Sequence, residues 1–298
     1  QAVGLKSAFK YVGTVPVTSV TSYLASVANT KKVEICQLNS AGVTGCTITD
    51  LSSVLGAGLY GAAVSPMGNL YLLTTNSLTN PGAGVYKCTI SNMKVTGCVQ
   101  QSATGNAGIT GGAFSIDGKY FYYNDMSKST VNMCKVASNG DLTSCVVAKS
   151  GLQLYVQRLT LNYNGDRLFV NTGAGVMSCV IDAATGMFSS CIVNPTAGGT
   201  DVWGINFGLD NTRIYTTRST QINICNYSRE NNQVSGCAAS TFSGSITGIA
   251  FTPTMAILTN ANGNLQKCTL DGTGKLTTSC VALPGSTITA TEGLAIFN

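Results

Sequence analysis

Cysteines are the residues whose number and spacing most clearly indicate chemistry in this sequence. The 298 residues include 12 cysteines and no histidine. The cysteines form six pairs, with nine to eleven residues between the two members of a pair. The pairs are Cys36 with Cys46, Cys88 with Cys98, Cys134 with Cys145, Cys179 with Cys191, Cys225 with Cys237, and Cys268 with Cys280. Cysteine pairs hold metal ions, carry out redox chemistry or form structural disulfides.

The spacing favours disulfides over metal or redox sites. Zinc sites use much closer pairs, often with histidine, and redox pairs are usually CxxC. A turn lies midway between the two cysteines of each pair, for example at Asn139-Gly140, a strong hairpin signal. The two sulfurs therefore face each other across one hairpin. Six local disulfides would each stabilise the fold by roughly 2–3 kcal/mol and would leave no thiol to hold a metal or cofactor. They also predict an oxidising compartment, with the protein secreted or at a cell surface.

The elements that position these cysteines recur along the chain. Successive pairs follow each other at a period of 43 to 52 residues, which is typical of a repeat architecture. An apolar strand such as "NLYLLTTN" precedes each pair, and in five repeats a strand opened by a small residue, such as "TGGAFSI", comes before it. Six repeats of four strands predict an all-β, six-bladed β-propeller with antiparallel blades and one disulfide in the outer hairpin of each blade.

Two stretches of the repeat carry a family resemblance. The sequences "SIDGKYFYYNDMSKSTVNMCKVASNGDLTSC" and "NYNGDRLFVNTGAGVMSCVIDAATGMFSSC" resemble the YVTN-type repeat of lactonase-like β-propellers. The likeness extends over residues 22 to 298, and the cysteine pairs depart from it. The resemblance implies the propeller fold. It also implies that any catalytic group would be an acidic or basic residue in the central channel, for which Glu292, Arg158 and Asp201 are the candidates.

The two ends of the chain raise a question of strand number. The last residues, "TEGLAIFN" at 291–298, align with the opening strands of five repeats, so we expect them to complete the first blade and close the ring. The propeller would then comprise residues 22–298. Residues 1–21 would form an N-terminal extension that alternates apolar and polar residues and includes a seventh candidate inner strand, "AVGLKSAF". This extension could pack on its own propeller or add as a strand to a neighbouring subunit.

A ring of dissimilar residues is predicted at the mouth of the channel, where the inner strands begin. It consists of Tyr60, Thr110, Gln157, Trp203, Thr247 and Glu292, with Arg158 in the column of small residues and Asp201 beside Trp203. Aromatic, basic and acidic groups together suit a small polar ligand such as a sugar. The alternative is that they fill a narrow channel. The next column is expected to be small because six strands crowd the axis: Ala63, Ala113, Thr160, Asn206, Ala250 and Ala295.

Several function classes are disfavoured. Without histidine there is no Ser-His-Asp device, and no calcium loop is present in the sequence. Only 10% of residues are charged, and the net charge of +5 is scattered, so no nucleic-acid face is predicted. No apolar stretch approaches the ~20 residues that span a bilayer. Asn226 opens the sequon Asn226-Tyr227-Ser228, a possible N-glycosylation site.

These patterns predict a secreted, non-catalytic structural protein. The expected role is a self-assembling surface or filament subunit whose copies join through terminal strands, because a head-to-tail contact that does not close produces a filament. The first alternative is a glycan-binding or adhesive propeller that uses the channel mouth. The second alternative is a lactonase-like hydrolase.

Overall fold

The computed structural model is a six-bladed β-propeller. It describes residues 21–75, 82–105, 107–152, 158–194 and 202–298. These residues form six sheets of four antiparallel strands, and a three-residue 3₁₀ helix, Ser102–Thr104, is the only helix among them. No helix in these ranges is long and apolar enough to cross a membrane. The fold predicted from the cysteine repeat is confirmed.

The strands of each blade follow one another from the channel outwards. Blade 1 contains β24 (Thr291–Phe297), β1 (Ser22–Ala28), β2 (Lys32–Leu38) and β3 (Val43–Asp50). Blade 2 contains β4 (Gly58–Val64), β5 (Leu70–Thr75), β6 (Gly84–Ser91) and β7 (Lys94–Gln100). Blade 3 contains β8 (Gly112–Phe114), β9 (Tyr120–Asp125), β10 (Thr130–Val136) and β11 (Leu142–Lys149).

The second half of the ring repeats this order. Blade 4 contains β12 (Leu159–Leu161), β13 (Arg167–Thr172), β14 (Gly175–Ile181) and β15 (Phe188–Asn194). Blade 5 contains β16 (Gly204–Phe207), β17 (Arg213–Arg218), β18 (Gln221–Ser228) and β19 (Gln233–Thr241). Blade 6 contains β20 (Ile246–Phe251), β21 (Ala256–Asn260), β22 (Gln266–Leu270) and β23 (Leu276–Ala282).

The C-terminal strand closes the ring, as expected. Strand β24 pairs antiparallel with β1, in a register that joins Tyr23 to Phe297 and Ala25 to Ala295. The segment that leads into β24 is held by the buried carboxylate of Glu34 in blade 1. Glu34 accepts hydrogen bonds from the Ser286 hydroxyl at 2.6 Å and from the Thr287 backbone N–H at 2.9 Å. Blade 1 therefore takes its inner strand from the end of the chain, and residues 1–20 of the N-terminal extension lie outside the described residues.

The hydrophobic core lies between adjacent blades. Alternate residues of a strand point to opposite faces of its sheet, so the strands of each blade together contribute to the core clusters on both sides of that blade. In β24, Leu294 and Ile296 pack toward blade 6, whereas Ala295 and Phe297 pack toward blade 2. A strand buried on both faces reads as a nearly continuous apolar run, which explains sequences such as "LYLLTT" in β5.

One disulfide closes the outer hairpin of each blade. The predicted pairing is confirmed for all six bridges, and no cysteine is left free in the described ranges. In order of the blades, the bonded residues are Cys36 with Cys46, Cys88 with Cys98, Cys134 with Cys145, Cys179 with Cys191, Cys225 with Cys237, and Cys268 with Cys280. Each bridge joins the third strand of a blade to the fourth, so each holds the outermost strand in place.

The turn of an outer hairpin also contacts the preceding blade. Tyr122 of blade 3 donates its hydroxyl to the Gly186 carbonyl in the hairpin turn of blade 4, at 2.8 Å. Lys87 of blade 2 donates to the Asn139 carbonyl in the turn of blade 3, at 3.0 Å. The covalent bond therefore fixes a hairpin that also links one blade to the next.

Candidate functional site

The six inner strands surround a central cavity of about 260 Å³. The inner strands contact one another around the ring in the order of the blades, so blade 4 stands opposite blade 1. The cavity extends from the level of Arg158 and Gly293, where the inner strands begin, to the level of Tyr163 and Asn298, where they end. A cavity of this size accommodates a small molecule rather than a polymer.

Glycines at the start of the inner strands allow their main chains to touch. A Cβ atom at Gly61 would lie 2.5 Å from the Thr110 carbonyl oxygen of blade 3. A Cβ atom at Gly293 would lie 2.8 Å from the Tyr60 carbonyl oxygen of blade 2. Both separations are too short for a real side chain, so the small-residue column in the sequence reflects direct backbone contact between blades.

Blade 4 breaks this column with Arg158, whose side chain crosses the channel. Its Nη2 donates a hydrogen bond to the backbone carbonyl oxygen of Glu292, on the opposite side of the ring, at 2.8 Å. The Arg158 side chain is half-buried and lines the cavity. Removal from water lowers the pKa of the guanidinium to about 10, although the Glu292 carboxylate acts in the opposite direction. Arg158 therefore remains charged at neutral pH and places one positive charge at this end of the cavity.

Glu292 and Tyr60 form the electrostatic surroundings of Arg158. Burial raises the pKa of the Glu292 carboxyl, and the Arg158 charge offsets part of this effect. Burial also raises the pKa of the Tyr60 hydroxyl, and the Glu292 charge adds to the rise. Neither side chain belongs to the described cavity wall, whereas Arg158 does. The three residues that the sequence placed together do interact, but only the arginine faces the cavity.

The wall of the cavity is polar on one side and apolar on the other. The Asn206 side-chain amide of blade 5 donates to the Ile249 carbonyl of blade 6 at 2.9 Å, and its oxygen lies 3.4 Å from the Thr160 hydroxyl of blade 4. The same level is occupied in blades 2, 3, 6 and 1 by Ala63, Ala113, Ala250 and Ala295. Crowding at the axis explains the alanines, but it does not explain Thr160 and Asn206. In the sequence, this polar side of the wall is indicated by threonine and asparagine in place of alanine in two adjacent repeats.

The remaining predicted mouth residues have different environments. Thr110 accepts a hydrogen bond from the Asn124 amide at 3.1 Å, and Thr247 donates to the Thr291 carbonyl at 3.1 Å. Both threonines line the cavity, and both hydroxyls take part in the packing of the blades. Trp203 is half-buried, and its backbone N–H donates to the Thr217 carbonyl at 2.8 Å. Gln157 and Asp201 lie outside the described residues.

Charged groups are scarce in the described wall of the cavity. Among the described residues that line the cavity there is no Asp or Glu, and Arg158 is the one charged side chain.

A cluster of Glu34, Cys36 and Cys46 in blade 1 has metal-like spacing. However, the two sulfurs are bonded to each other, and the carboxylate accepts the hydrogen bonds that hold the segment before β24. This cluster is therefore structural, and no local sequence signal indicated the role of Glu34.

The predicted glycosylation acceptor lies away from the channel. Asn226 is exposed on β18, where it pairs in register with Arg213 of β17 and Ser235 of β19. Its side chain is accessible from the outside of blade 5. The sequon remains a prediction.

Solved structures share the propeller fold at low sequence identity. The chain is similar to a periplasmic gluconolactonase from Pseudomonas aeruginosa, with a TM-score of 0.62, 14% identity, and coverage of 90% of this chain and 85% of that chain. A chain of a nidogen/laminin complex gives a TM-score of 0.66 at 11% identity, with coverage of 92% and 98%. A candidate 6-phosphogluconolactonase from Bacteroides uniformis gives a TM-score of 0.59 at 14% identity, with coverage of 93% of this chain and 99% of that chain.

No protein-family model matches the sequence, and no curated protein is similar to it in sequence. The structural likeness to lactonase-like propellers agrees with the resemblance seen in the YVTN-type stretches. At these identities the likeness shows the fold alone, since one propeller fold serves many functions.

Proposed function

We propose that the protein is an extracellular, non-catalytic structural subunit that assembles with copies of itself through its N-terminal segment. The observation that carries this proposal is the complete ring: the described strands supply four strands to each of six blades, and β24 provides the inner strand of blade 1. Residues 1–20 are therefore not needed to complete a blade. Their sequence, "QAVGLKSAFKYVGTVPVTSV", alternates apolar and polar residues and contains only Lys6 and Lys10 as charged residues.

Three further features support an extracellular role. Six disulfides are typical of proteins that fold in oxidising compartments. Only 10% of residues are charged, which limits the repulsion between packed copies. The outer strand of each blade has one edge that is not paired within its sheet, and such edges accept strands from other chains.

Electron microscopy and light scattering of the full chain test this proposal. Filaments or regular arrays are the expected result, and deletion of residues 1–20 should leave folded particles close to the mass of one chain. A monodisperse full-length protein at high concentration would contradict self-assembly. Non-reducing peptide mapping should give six bridges within repeats for both proteins, which controls for misfolding of the shortened chain.

A second candidate function is the binding of a small polar molecule, such as a sugar or sugar lactone, in the central cavity. The observation in its favour is the charged guanidinium of Arg158 beside the polar wall of Thr160 and Asn206. One structural neighbour is a gluconolactonase, so hydrolysis of a lactone belongs to the same test. Trp203 is the single tryptophan of the chain, and its fluorescence reports on the start of β16.

Titration with a panel of monosaccharides and lactones distinguishes these uses of the cavity. Saturable fluorescence change that is lost in Arg158→Met would support binding, and turnover that is lost in Glu292→Gln would support a hydrolase. Arg218→Met is the matched control, because Arg218 is exposed at the end of β17. No response to the panel would count against a small-molecule role for the cavity.

A further inference from the structure

The outermost strands carry most of the large apolar side chains that are exposed in the described part of the chain. Each of these side chains lies one or two residues after the second cysteine of its blade. They are Ile48, Val99, Val146, Val147, Ile192, Val193 and Val281. A soluble β-sheet usually protects its edge with charges, prolines or a covering segment. A belt of exposed β-branched residues at unpaired edges is therefore a candidate interaction surface.

Single valines are more exposed in blades 2 and 6, at Val99 (59%) and Val281 (63%), but blade 3 exposes the more exposed pair of adjacent apolar side chains. Val146 and Val147 of β11 are 46% and 49% exposed. Because successive residues point to opposite faces, both faces of the sheet present an apolar side chain at this edge. The strand has eight residues, "LTSCVVAK", and its one charge is Lys149 at the end. The backbone N–H of Leu142, the first residue of the strand, donates to the Gln101 side-chain oxygen at 2.8 Å, so an added strand would pair with the edge beyond Leu142 and meet apolar contacts on both faces.

Blades 4 and 5 differ from blade 3 at the same positions. Strand β15 also exposes two apolar residues, Ile192 and Val193, but its last residue is tied to blade 5, where the Val234 N–H donates to the Asn194 side-chain oxygen at 3.1 Å. Strand β19 of blade 5 has Ala238 and Ala239 after its cysteine, and both are exposed. Blades 3 and 4 therefore each expose an apolar pair, with β11 bonded to a neighbouring blade at its first residue and β15 at its last, whereas blade 5 exposes small side chains.

We propose that β11 is the edge to which the N-terminal segment of a second copy adds as a fifth strand of blade 3. This inference rests on the proposed function and names the surface that accepts the segment. The stretch "AVGLKSAF" at 2–9 has low charge, and its alternate positions hold Val3, Leu5, Ser7 and Phe9, three of them apolar, as such an edge accepts. Main-chain hydrogen bonds would provide affinity, and the two valines of β11 would provide specificity.

The length of the segment fits this arrangement. The eight residues 2–9 match the length of β11, and the twelve residues 10–21 connect them with Ser22. Twelve extended residues reach about 40 Å, enough to pass from one propeller to the next. Ser22, the first residue of β1, lies beside the C-terminal residue, and its hydroxyl donates to the Asn298 side chain at 2.7 Å. The end of the donor segment and the acceptor edge belong to different blades, so a head-to-tail contact is geometrically available, and it builds an open chain of copies when successive rotations do not close a ring.

Three single variants of the full chain test the acceptor edge. Val147→Lys in β11 introduces a charge into the contact, and we expect at least a tenfold rise in the concentration required for assembly, measured by light scattering. Val193→Lys and Ala239→Lys place the same charge two residues after the second cysteine of blades 4 and 5, and we expect changes of less than twofold. All three sites are exposed, and peptide mapping of the six disulfides checks the fold.

Hydrogen exchange measured by mass spectrometry gives a readout that is independent of the variants. Backbone amides of residues 142–149 should exchange at least tenfold more slowly in assembled than in dissociated wild-type protein, whereas those of β19 should not change. Assembly that depends on residues 1–20 but protects another outer strand, or is blocked by Val193→Lys instead, would overturn β11 as the acceptor and leave the proposed function standing. Protection of β11 in a monomer that never assembles would mean that the segment binds its own chain, which would overturn both.

Discussion

The inner and outer strands of the same blades differ in what holds them. Inner strands have three to seven residues and pack through their main chains, with glycine at Gly61 and Gly293 where the backbones touch. Outer strands have seven to nine residues, and a disulfide holds each of them to its neighbour. A difference in residue type between blades therefore has different consequences at the channel end and at the outer end of a blade. At the inner end it changes the channel, and at the outer end it changes the surface of the ring.

Arg158 and Val147 illustrate this contrast. Arg158 stands where the other five blades have glycine, and its side chain crosses the channel to the opposite blade. Val147 stands where blade 5 has Ala239, and both side chains are exposed on the outer strand. Substitutions at the inner end should therefore act first on stability, whereas substitutions at the outer end should act first on association.

Removal of the C-terminal strand is the strongest test of the inner ring. Deletion of residues 291–298 leaves β1 paired only with β2 and removes the apolar contacts of Leu294 and Ile296. We expect the free energy of unfolding to fall by on the order of 5 kcal/mol or more, which is a large share of the stability of a typical domain. Thermal unfolding followed by circular dichroism measures this loss. Deletion of residues 1–20 is the matched control, and it should change the stability of the particle by less than about 1 kcal/mol.

The reverse result would contradict the assignment of the two termini. If the protein tolerated loss of residues 291–298 but unfolded without residues 1–20, the N-terminal segment would provide an inner strand. The six-bladed ring would then have a different closure from the one in which β24 pairs with β1.

Loss of one outer disulfide is the next largest expected effect. Replacement of both Cys88 and Cys98 by alanine should cost roughly 2–3 kcal/mol, because the bridge closes a short loop and limits the unfolded chain. Replacement of both Cys225 and Cys237 should cost a similar amount, since the two bridges have sequence separations of 10 and 12 residues. Denaturant unfolding measures both double variants. A much larger loss in one blade would show that its bridge also maintains contacts between blades.

Glycine-to-alanine variants at the inner strands and at an outer turn should have smaller effects on the free energy of unfolding. Gly61→Ala and Gly293→Ala should each lose about 1–3 kcal/mol, because the new methyl group would overlap a carbonyl of the next blade. Gly272→Ala is the matched control, since it lies in the exposed outer turn of blade 6 with open space around it. Equal stability for all three variants in urea unfolding would contradict the close contact of the inner strands.

The cysteine repeat made most of the fold predictable from the sequence. A local hairpin with a turn midway between two cysteines, such as Cys134 and Cys145 around Asn139-Gly140, has one pairing that fits. Six repeats of this unit, with four strands each, are compatible with few β architectures. Closure by residues 291–298 was predictable because the strand aligns with its counterparts in the other repeats. These features depend on local pattern and repetition, which a sequence displays directly.

The interior of the channel was less predictable because it depends on contacts between distant repeats. The sequence placed Arg158, Glu292 and Tyr60 at one level, but it did not indicate that the arginine alone would face the cavity. Nor did it indicate that Glu34 would hold the segment before β24, since Glu34 and Ser286 are separated by 252 residues. The orientation of a side chain in a ring depends on the residue opposite, and that residue is distant in sequence.

The smallest expected effect is the pH dependence that Glu292 gives to the stability of the fold. Burial raises the pKa of its carboxyl above the ordinary value of 4.5, despite the nearby charge of Arg158. The folded protein therefore binds more protons than the unfolded chain between these two pKa values. The stability contributed by the protonated acid is complete below the unfolded value, and it is lost as the pH rises through the folded value. Glu292→Gln, which stays neutral, should be more stable than the wild type at pH 7 by about 1 kcal/mol, within the usual range for a single substitution.

The same variant should match the wild type near pH 4, where Glu292 of the folded protein is protonated. Urea unfolding between pH 4 and pH 8 measures the difference, and Glu230→Gln is the control because Glu230 is exposed at an outer turn of blade 5. A variant that is less stable at pH 7 would mean that attraction between Glu292 and Arg158 outweighs the cost of burying the carboxylate. The charged pair would then be a stabilising link across the channel, between blades 1 and 4, in addition to the hydrogen bond from Arg158 to the main chain.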